Sequence, residues 1–129
     1  MKRIRLTGKV FSGKGDGKRF LLLKWVKDQI KQKLGFTPYL GTLNILLSVE
    51  SIKRRKTLEK AQSMTICPAQ GYCVGILHKA RIEKFECAVI IPDITGYPEN
   101  YLELIAAENM RQELHLKDGD EVTVIVSYS

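Results

Sequence analysis

The sequence has few of the residues that build zinc sites and disulfide frameworks. It contains three cysteines, Cys67, Cys73 and Cys87, and two histidines, His78 and His115. No two of the cysteines have CxxC spacing, and an odd number cannot all be paired within the chain. We therefore expect no zinc site, and free, reduced cysteines in a cytoplasmic protein.

Long apolar segments are missing as well. No run approaches the ~20 apolar residues that a membrane-spanning helix needs, and no charged segment followed by an apolar core opens the chain. We therefore expect neither a membrane span nor a secretion signal. The 129 residues, of which 44% are hydrophobic and 27% are charged, are typical of one soluble globular domain, residues 1–129, which we expect to be a monomer.

Acidic residues are scarce at the N-terminal end. The chain carries 21 Lys and Arg against 14 Asp and Glu, a net charge of +7. A basic field would attract a phosphorylated ligand or nucleic acid, and charge alone does not separate the two; a solubilising surface is an equally good interpretation. The basic residues of this stretch are Lys2, Arg3, Arg5, Lys9, Lys14, Lys18, Arg19, Lys24, Lys27, Lys31 and Lys33, against Asp16 and Asp28.

Short apolar segments separated by glycine, proline and charged residues predict a β-rich chain. Residues 4–11 alternate between apolar and polar, with a register shift near Gly8 that suggests a β-bulge. Residues 102–105 fit a strand or the start of a helix. These runs are too short for repeated βαβ units, so we expect a small closed barrel. The other strand candidates are residues 42–49, 65–68, 72–82, 88–91 and 121–126.

Helices are predicted at only one or two places. Apolar residues recur at helical spacing from Trp25 to Leu34 and stop at Gly35, which predicts a helix with a core-facing stripe. Residues 110–116 fit a second, short helix. The basic stretch 51–60 has little apolar content, so we expect an exposed loop or a strand edge guarded by lysine, with a nucleic-acid-binding patch as the alternative.

A glycine-rich loop follows the first predicted strand, with the sequence Gly13-Lys14-Gly15-Asp16-Gly17-Lys18. Closely spaced glycines let backbone N–H groups crowd around anionic oxygens, so the loop is a candidate phosphate site; a flexible hairpin loop is the alternative. The segment lacks the GxxxxGK[ST] spacing of the common nucleotide loop, and we expect no helix after it.

A second segment, Pro38 to Asn44, leads into another predicted strand. Thr42 and Asn44 lie two positions apart and therefore on one face of that strand. A hydroxyl and an amide oxygen presented side by side suit a hard cation such as Mg²⁺, which prefers oxygen ligands. The two segments together predict a phosphate and metal site.

Three segments carry a resemblance that covers nearly the full chain. They are Ser12 to Phe20, Leu34 to Asn44 and Leu116 to Val122, and in this order and spacing the chain resembles the archaeal-type CTP-dependent riboflavin kinases. The resemblance implies a mainly β fold, a small closed six-stranded cradle-loop barrel with one or two helices. It also implies Mg²⁺-assisted phosphorylation of riboflavin to FMN at the ribityl 5′-hydroxyl, with CTP as donor and CDP as product.

The resemblance further implies roles for individual residues. Nucleotide contacts fall on Gly13, Lys14, Gly15, Asp16, Gly17, Lys18, Glu108, Asn109, Met110 and Arg111, metal contacts on Thr42 and Asn44, and flavin contacts on Thr95 and Glu103.

The role of Glu103 and the residues that form the flavin slot each have alternative interpretations. Glu103 is the first candidate for a catalytic base, and holding the flavin's ribityl chain or a solvated position on an element edge are its alternatives. The flat flavin ring needs an apolar slot, for which Phe36, Tyr39, Tyr97 and Tyr101 are candidates, each of them also fitting a core or rim position.

A barrel that senses a flavin or binds nucleic acid without catalysis is the competing function. The basic N-terminal part favours it. The aromatic residues are not interleaved with the basic ones as in a stacking platform, and no recognition helix is apparent, so we expect nucleic acid not to be a partner.

Overall fold

The computed structural model describes residues 2–67 and 74–128, except for the side chain of Asp16, which is one of the predicted nucleotide contacts. Pro68, Tyr72 and Cys73, which belong to the predicted strands and cysteines, lie outside these ranges. The elements in chain order are β1 (Lys2–Phe11), α1 (Asp16–Leu21), α2 (Lys24–Leu34), β2 (Leu43–Leu47), α3 (Val49–Arg55) with a 3₁₀ turn (Lys56–Lys60), β3 (Met64–Ile66), β4 (Gly75–Ile82), β5 (Phe85–Pro92), β6 (Tyr101–Ile105), α4 (Met110–Glu113) and β7 (Glu121–Tyr128).

Six of the strands close into an antiparallel barrel. Their order is β4-β5-β6-β2-β1-β7, and β7 pairs back onto β4 through Ala80↔Val126 and Arg81↔Ile125. β3 is an extra strand that pairs with the start of β4, from Gly75 to Leu77, on the same edge that β7 pairs with further along. The prediction of a mainly β, closed six-stranded barrel is confirmed. The described ranges hold four α-helices rather than one or two, and none of them is long and apolar enough to cross a bilayer.

Alternating apolar residues fill the barrel. Leu6 and Val10 of β1 and the valines at 122, 124 and 126 of β7 point inward and are buried. The predicted bulge near Gly8 is wrong, because β1 pairs with β7 without interruption from Lys2↔Tyr128 to Lys9↔Glu121. Gly8 is needed for close packing instead, since a Cβ there would collide with the backbone oxygen of Leu46.

A second apolar cluster lies between the barrel wall and the first two helices. Leu21 of α1 and Val26 and Ile30 of α2 are fully buried against outward-facing residues of β3 to β6, and Trp25 and Leu34 pack beside them. The helix predicted from Trp25 to Leu34 and its core-facing stripe are confirmed. Gly35 ends α2 in the left-handed conformation, φ 81°, and its N–H donates to the Lys31 oxygen at 2.9 Å.

Three local predictions need correction. Residues 51–60 are largely exposed, as expected, but they form α3 and the 3₁₀ turn rather than a loop or a strand edge, and Ser51 and Arg55 are only 1% and 7% exposed. The glycine loop does lead into a helix, α1. The helix predicted over 110–116 ends at Glu113, since His115 takes a positive φ of 53°. Residues 102–105, left open above, form strand β6.

A polar anchor explains why α3 forms where the apolar signal is weak. The Ser48 hydroxyl caps the helix by accepting from the Ser51 N–H at 3.3 Å. The buried Ser51 hydroxyl accepts in turn from the Thr7 N–H of β1 at 2.8 Å, which ties α3 to the barrel. Hydrogen bonds of this kind leave no hydrophobic period in the sequence.

Candidate active site

A cleft of about 960 Å³ opens on the outer wall of the barrel. The glycine loop and α1 form one side, and the loop between β5 and β6 forms the other. Lys14, Lys18, Thr42, Asn44, Glu103 and Arg111 line it together with the aromatic residues Phe11, Phe20, Tyr97 and Tyr101.

The glycine loop packs directly on Thr42 and Asn44. A Cβ added to Gly13 would lie 2.6 Å from Asn44 Nδ2, and one added to Gly17 would lie 2.6 Å from Thr42 Cγ2 and 2.7 Å from its Oγ1. A side chain at either position would displace the Asn44 amide or the Thr42 side chain, so glycine allows this close approach. The two sequence segments predicted to share a site are therefore in contact, and Thr42 Oγ1 donates to Asn44 Oδ1 at 3.0 Å, which places both side chains on one face.

Gly15 has a different role within the same loop. Its φ is +85°, and a Cβ built on it meets nothing within 4 Å. It precedes α1, and its backbone oxygen accepts from the Arg19 N–H at 3.2 Å. Gly15 thus supplies a left-handed turn, whereas Gly13 and Gly17 supply close approach.

The strand register places Glu103 beside Asn44. The two residues are direct partners in the β2–β6 ladder, and Phe11 is the partner of Asn44 on the other side. Directly opposed residues of antiparallel strands project to the same face, with Cβ atoms about 5 Å apart. The predicted metal pair and the predicted carboxylate therefore form one row across the barrel wall, a juxtaposition that no sequence spacing reveals.

Aromatic residues surround Glu103. The Tyr97 hydroxyl donates to Glu103 Oε1 at 2.7 Å, the Tyr97 and Tyr101 rings meet edge to face at 6.3 Å, and Tyr101 lies 5.1 Å from Phe11. Burial, followed by the bond to Glu103, raises the pKa of Tyr97, so its hydroxyl stays protonated near neutral pH. This end of the cleft combines an apolar wall with one carboxylate.

Basic residues mark the opposite end. Arg111 of α4 donates through Nη2 to Asp118 Oδ1 at 2.5 Å and to Ser12 Oγ at 3.3 Å. Ser12 Oγ in turn donates to both Asp118 oxygens, at 3.0 and 2.9 Å. Arg111 and then Ser12 lower the pKa of Asp118. The network ties the start of the glycine loop to α4 and to the turn before β7.

Comparison with known proteins decides the family. The sequence model of a family named CTP-dep_RFKase, described as "Domain of unknown function DUF120", matches residues 10–126. The chain belongs to this family.

The relatives of this CTP-dep_RFKase chain include proteins named riboflavin kinase. It is 39% identical to one from Ignicoccus hospitalis over 97% of its own length and 72% of that protein. It is 38% identical to one from Methanospirillum hungatei, covering 98% of the chain and 59% of the relative. It is 35% identical to one from Archaeoglobus fulgidus, covering 95% and 54%. The chain thus spans between about half and three quarters of the length of these relatives.

Four predicted site residues do not line the cleft. Met110 is 4% exposed in the barrel core, and Asn109 caps α4 by accepting from the Gln112 N–H at 3.3 Å. Thr95 is exposed and Glu108 half-buried. Within residues 2–67 and 74–128, the cleft lining includes none of these four side chains. Their roles in nucleotide and flavin binding stay predictions.

Of the four aromatic residues predicted for the flavin slot, two line the cleft and two do not. Tyr97 and Tyr101 line the cleft. Phe36 packs in the cluster beneath α2, and Tyr39 is 43% exposed with its hydroxyl accepting from Asn109 Nδ2 at 3.1 Å. Phe11 and Phe20, which sequence reasoning did not select, take their place in the wall. The sequence signal that could have identified Phe11 as a cleft residue is its position at the end of the first strand, two residues before the glycine loop.

The Thr42 and Asn44 oxygens fit a magnesium ion in chemistry and spacing. Both are hard ligands, and their separation of 3.0 Å matches the roughly 3 Å between neighbouring oxygens around Mg²⁺ at 2.0–2.1 Å. Among the residues that the structure describes, no group of three or more His, Cys, Asp and Glu side chains could hold a metal. The fit to Mg²⁺ therefore depends on the neutral oxygens of Thr42 and Asn44, which lie next to Glu103.

Proposed function

We propose that this domain transfers the γ-phosphoryl group of CTP to the 5′-hydroxyl of riboflavin, giving FMN and CDP. Family membership and the names of the relatives support the reaction class. The observation that carries the proposal furthest is the Asn44↔Glu103 register, because it joins the glycine loop, the metal pair and a carboxylate in one cleft.

Each part of the cleft has a task in this reaction. The bond from the γ-phosphorus to the CDP oxygen breaks, the bond to the ribityl oxygen forms, and the hydroxyl proton passes to Glu103. A largely dissociative transition state needs alignment and charge neutralisation more than covalent help. Lys14, Lys18 and Arg111 supply positive charge for the phosphates.

Magnesium and the flavin complete the proposal. Mg²⁺ held by Thr42 and Asn44 would neutralise charge on the transferred phosphoryl group. The flavin ring would lie against the aromatic wall formed by Phe11, Tyr97 and Tyr101, with its ribityl chain directed to Glu103. Because both proposed substrates are soluble metabolites, we propose that the protein acts in the cytoplasm; that it acts as a monomer is a separate proposal.

A donor comparison tests the proposed function. Purified protein is incubated with riboflavin and CTP, ATP, GTP or UTP, with Mg²⁺ present or chelated, and FMN and nucleoside diphosphate are separated by chromatography. We expect FMN and CDP from CTP in the presence of Mg²⁺. Equal product from ATP would contradict the choice of CTP, and no product from any donor would favour a flavin-sensing or nucleic-acid-binding barrel.

A further inference from the structure

Tyr97 is held at the aromatic end of the cleft by the loop between β5 and β6. Gly96, with φ +87°, turns the chain just before it, and the Tyr97 N–H donates to the Ile94 oxygen at 3.4 Å. The turn brings the Tyr97 hydroxyl to Glu103 Oε1 at 2.7 Å. A hydrogen bond of this length to a carboxylate belongs to the stronger, charge-assisted kind.

Contacts on two sides fix the Tyr97 ring. The Arg55 guanidinium carbon lies 5.9 Å from its centroid on one side, and the Tyr101 ring meets it edge to face on another. Arg55 is 7% exposed, and its Nη1 donates to the Glu99 oxygen at 3.2 Å. Arg55 lines a separate cavity of about 260 Å³ rather than the cleft, so it supports Tyr97 from behind.

The Tyr97 hydroxyl limits the orientation of the Glu103 carboxylate and uses one of its acceptor positions. An ionised carboxylate has about four acceptor positions, so the bond from Tyr97 leaves Glu103 able to accept from a ligand hydroxyl. The same bond ties the carboxylate to Tyr97, beside Asn44 in the row across the barrel wall. Since the Tyr97 hydroxyl stays protonated, it remains a donor throughout the neutral pH range.

We propose that Tyr97 is a positioning residue: Arg55 supports its ring, and its hydroxyl orients the Glu103 carboxylate toward the ribityl hydroxyl that receives the phosphoryl group. The inference rests on the proposed function for its substrate. It adds a residue, Tyr97, that acts on the reaction through Glu103.

Tyr97→Phe is the direct test, because it removes one oxygen and keeps the ring and its packing. A carboxylate displaced by about 1 Å loses roughly 10²-fold in rate, so we expect kcat to fall about 10- to 100-fold while the KM for CTP is unchanged. Tyr128→Phe in β7 is the matched control: it removes a hydroxyl from a half-buried tyrosine outside the cleft and leaves kcat as in the wild type.

A double-mutant cycle separates positioning from folding. In a Glu103→Ala background the carboxylate to be oriented is gone, so adding Tyr97→Phe lowers kcat no further. A purely structural Tyr97 would give the same fold-loss in both backgrounds. That result, or wild-type kcat in Tyr97→Phe, would overturn the inference.

Riboflavin binding without nucleotide gives a readout that does not depend on turnover. Quenching of riboflavin fluorescence yields its dissociation constant, which we expect to rise in Tyr97→Phe and in Glu103→Ala and to rise no further in the double variant. If the two substitutions do not add in their effect on the riboflavin dissociation constant but the protein turns over no nucleotide, the proposed function is rejected. The role of Tyr97 in orienting Glu103 is then kept. Additive effects in an active protein would reject the role of Tyr97 alone, and no binding of riboflavin would reject both.

Discussion

The two ends of the cleft differ in their exposure to water and in the kind of contact that they offer a ligand. At the basic end, Lys14, Lys18 and the Arg111–Asp118 pair lie in contact with water, and the Arg111 and Asp118 side chains are 34% and 57% exposed. At the aromatic end, Tyr97 and Glu103 are half-buried and share a 2.7 Å hydrogen bond. The basic end attracts its ligand by charge, and the aromatic end holds its ligand by fixed contacts.

This difference predicts different responses to mutation and to salt. Exposed charges are screened by ions, and single exposed ion pairs contribute at most about 1 kcal/mol. A half-buried hydrogen bond to a carboxylate is screened less, so removing its donor atom should have a larger effect. Asn44 stands where the two ends meet, so its loss affects both.

The largest effect is expected from Asn44→Ala. It removes one of the two oxygens proposed to hold Mg²⁺ and the acceptor of the Thr42 hydroxyl, so we expect kcat to fall about 100-fold or more. The position is half-buried at a strand start, and the melting temperature should change little. Thermal melts run beside the kinetics check this; parallel loss of stability and turnover would make Asn44 a folding residue instead.

A smaller effect is expected from the glycines, and it should differ between neighbours. Gly17→Ala puts a Cβ against Thr42 and forces the loop away from the metal pair, so the KM for the nucleotide should rise about tenfold or more. Gly15→Ala meets no protein atom within 4 Å and leaves Thr42 and Asn44 in place, so we expect a smaller rise in that KM together with the cost of a left-handed alanine, about 1 kcal/mol of stability. Nucleotide titrations and melts of both variants check the contrast, and a larger KM effect at Gly15 than at Gly17 would contradict it.

Prediction from the sequence succeeded where a pattern is local. Valines at alternate positions gave β7, the apolar stripe closed by Gly35 gave α2, and the Thr-x-Asn spacing placed Thr42 and Asn44 on one face. Each of these depends on residues within one element, whose geometry fixes their relative positions.

The remaining features depend on pairing and packing between distant segments. Helix α3 is stabilised by hydroxyl contacts to β1, and the Asn44↔Glu103 row exists only because β2 and β6 pair in that register. The roles of Gly13 and Gly17 as contacts of Asn44 and Thr42 were equally invisible, because glycine in a loop also suits a turn or an anion site.

A modest effect is expected from Asp118→Asn at the basic end. It leaves Arg111 without its anionic partner and loosens the link to Ser12, so the KM for the nucleotide should rise about two- to fivefold with kcat unchanged. Glu121→Gln removes the same charge from an exposed site outside the cleft and serves as control. A fall in kcat as large as that of Tyr97→Phe would erase the distinction between the two ends.

The smallest effect is expected from salt alone. Raising the ionic strength from 50 to 300 mM should weaken nucleotide binding about two- to threefold through screening of Lys14, Lys18 and Arg111. Riboflavin binding at the aromatic end should change by less. Equilibrium titrations of each substrate across the salt series give the two slopes, and equal slopes would count against the division of the cleft.

A crystal structure with CDP, Mg²⁺ and riboflavin bound together would show whether both substrates meet in the cleft. We expect the phosphates against Gly13 to Lys18, the metal on Thr42 and Asn44, and the ribityl hydroxyl within hydrogen-bond distance of Glu103. Nucleotide or flavin bound elsewhere on the barrel, with the row from Asn44 to Glu103 untouched, would contradict it.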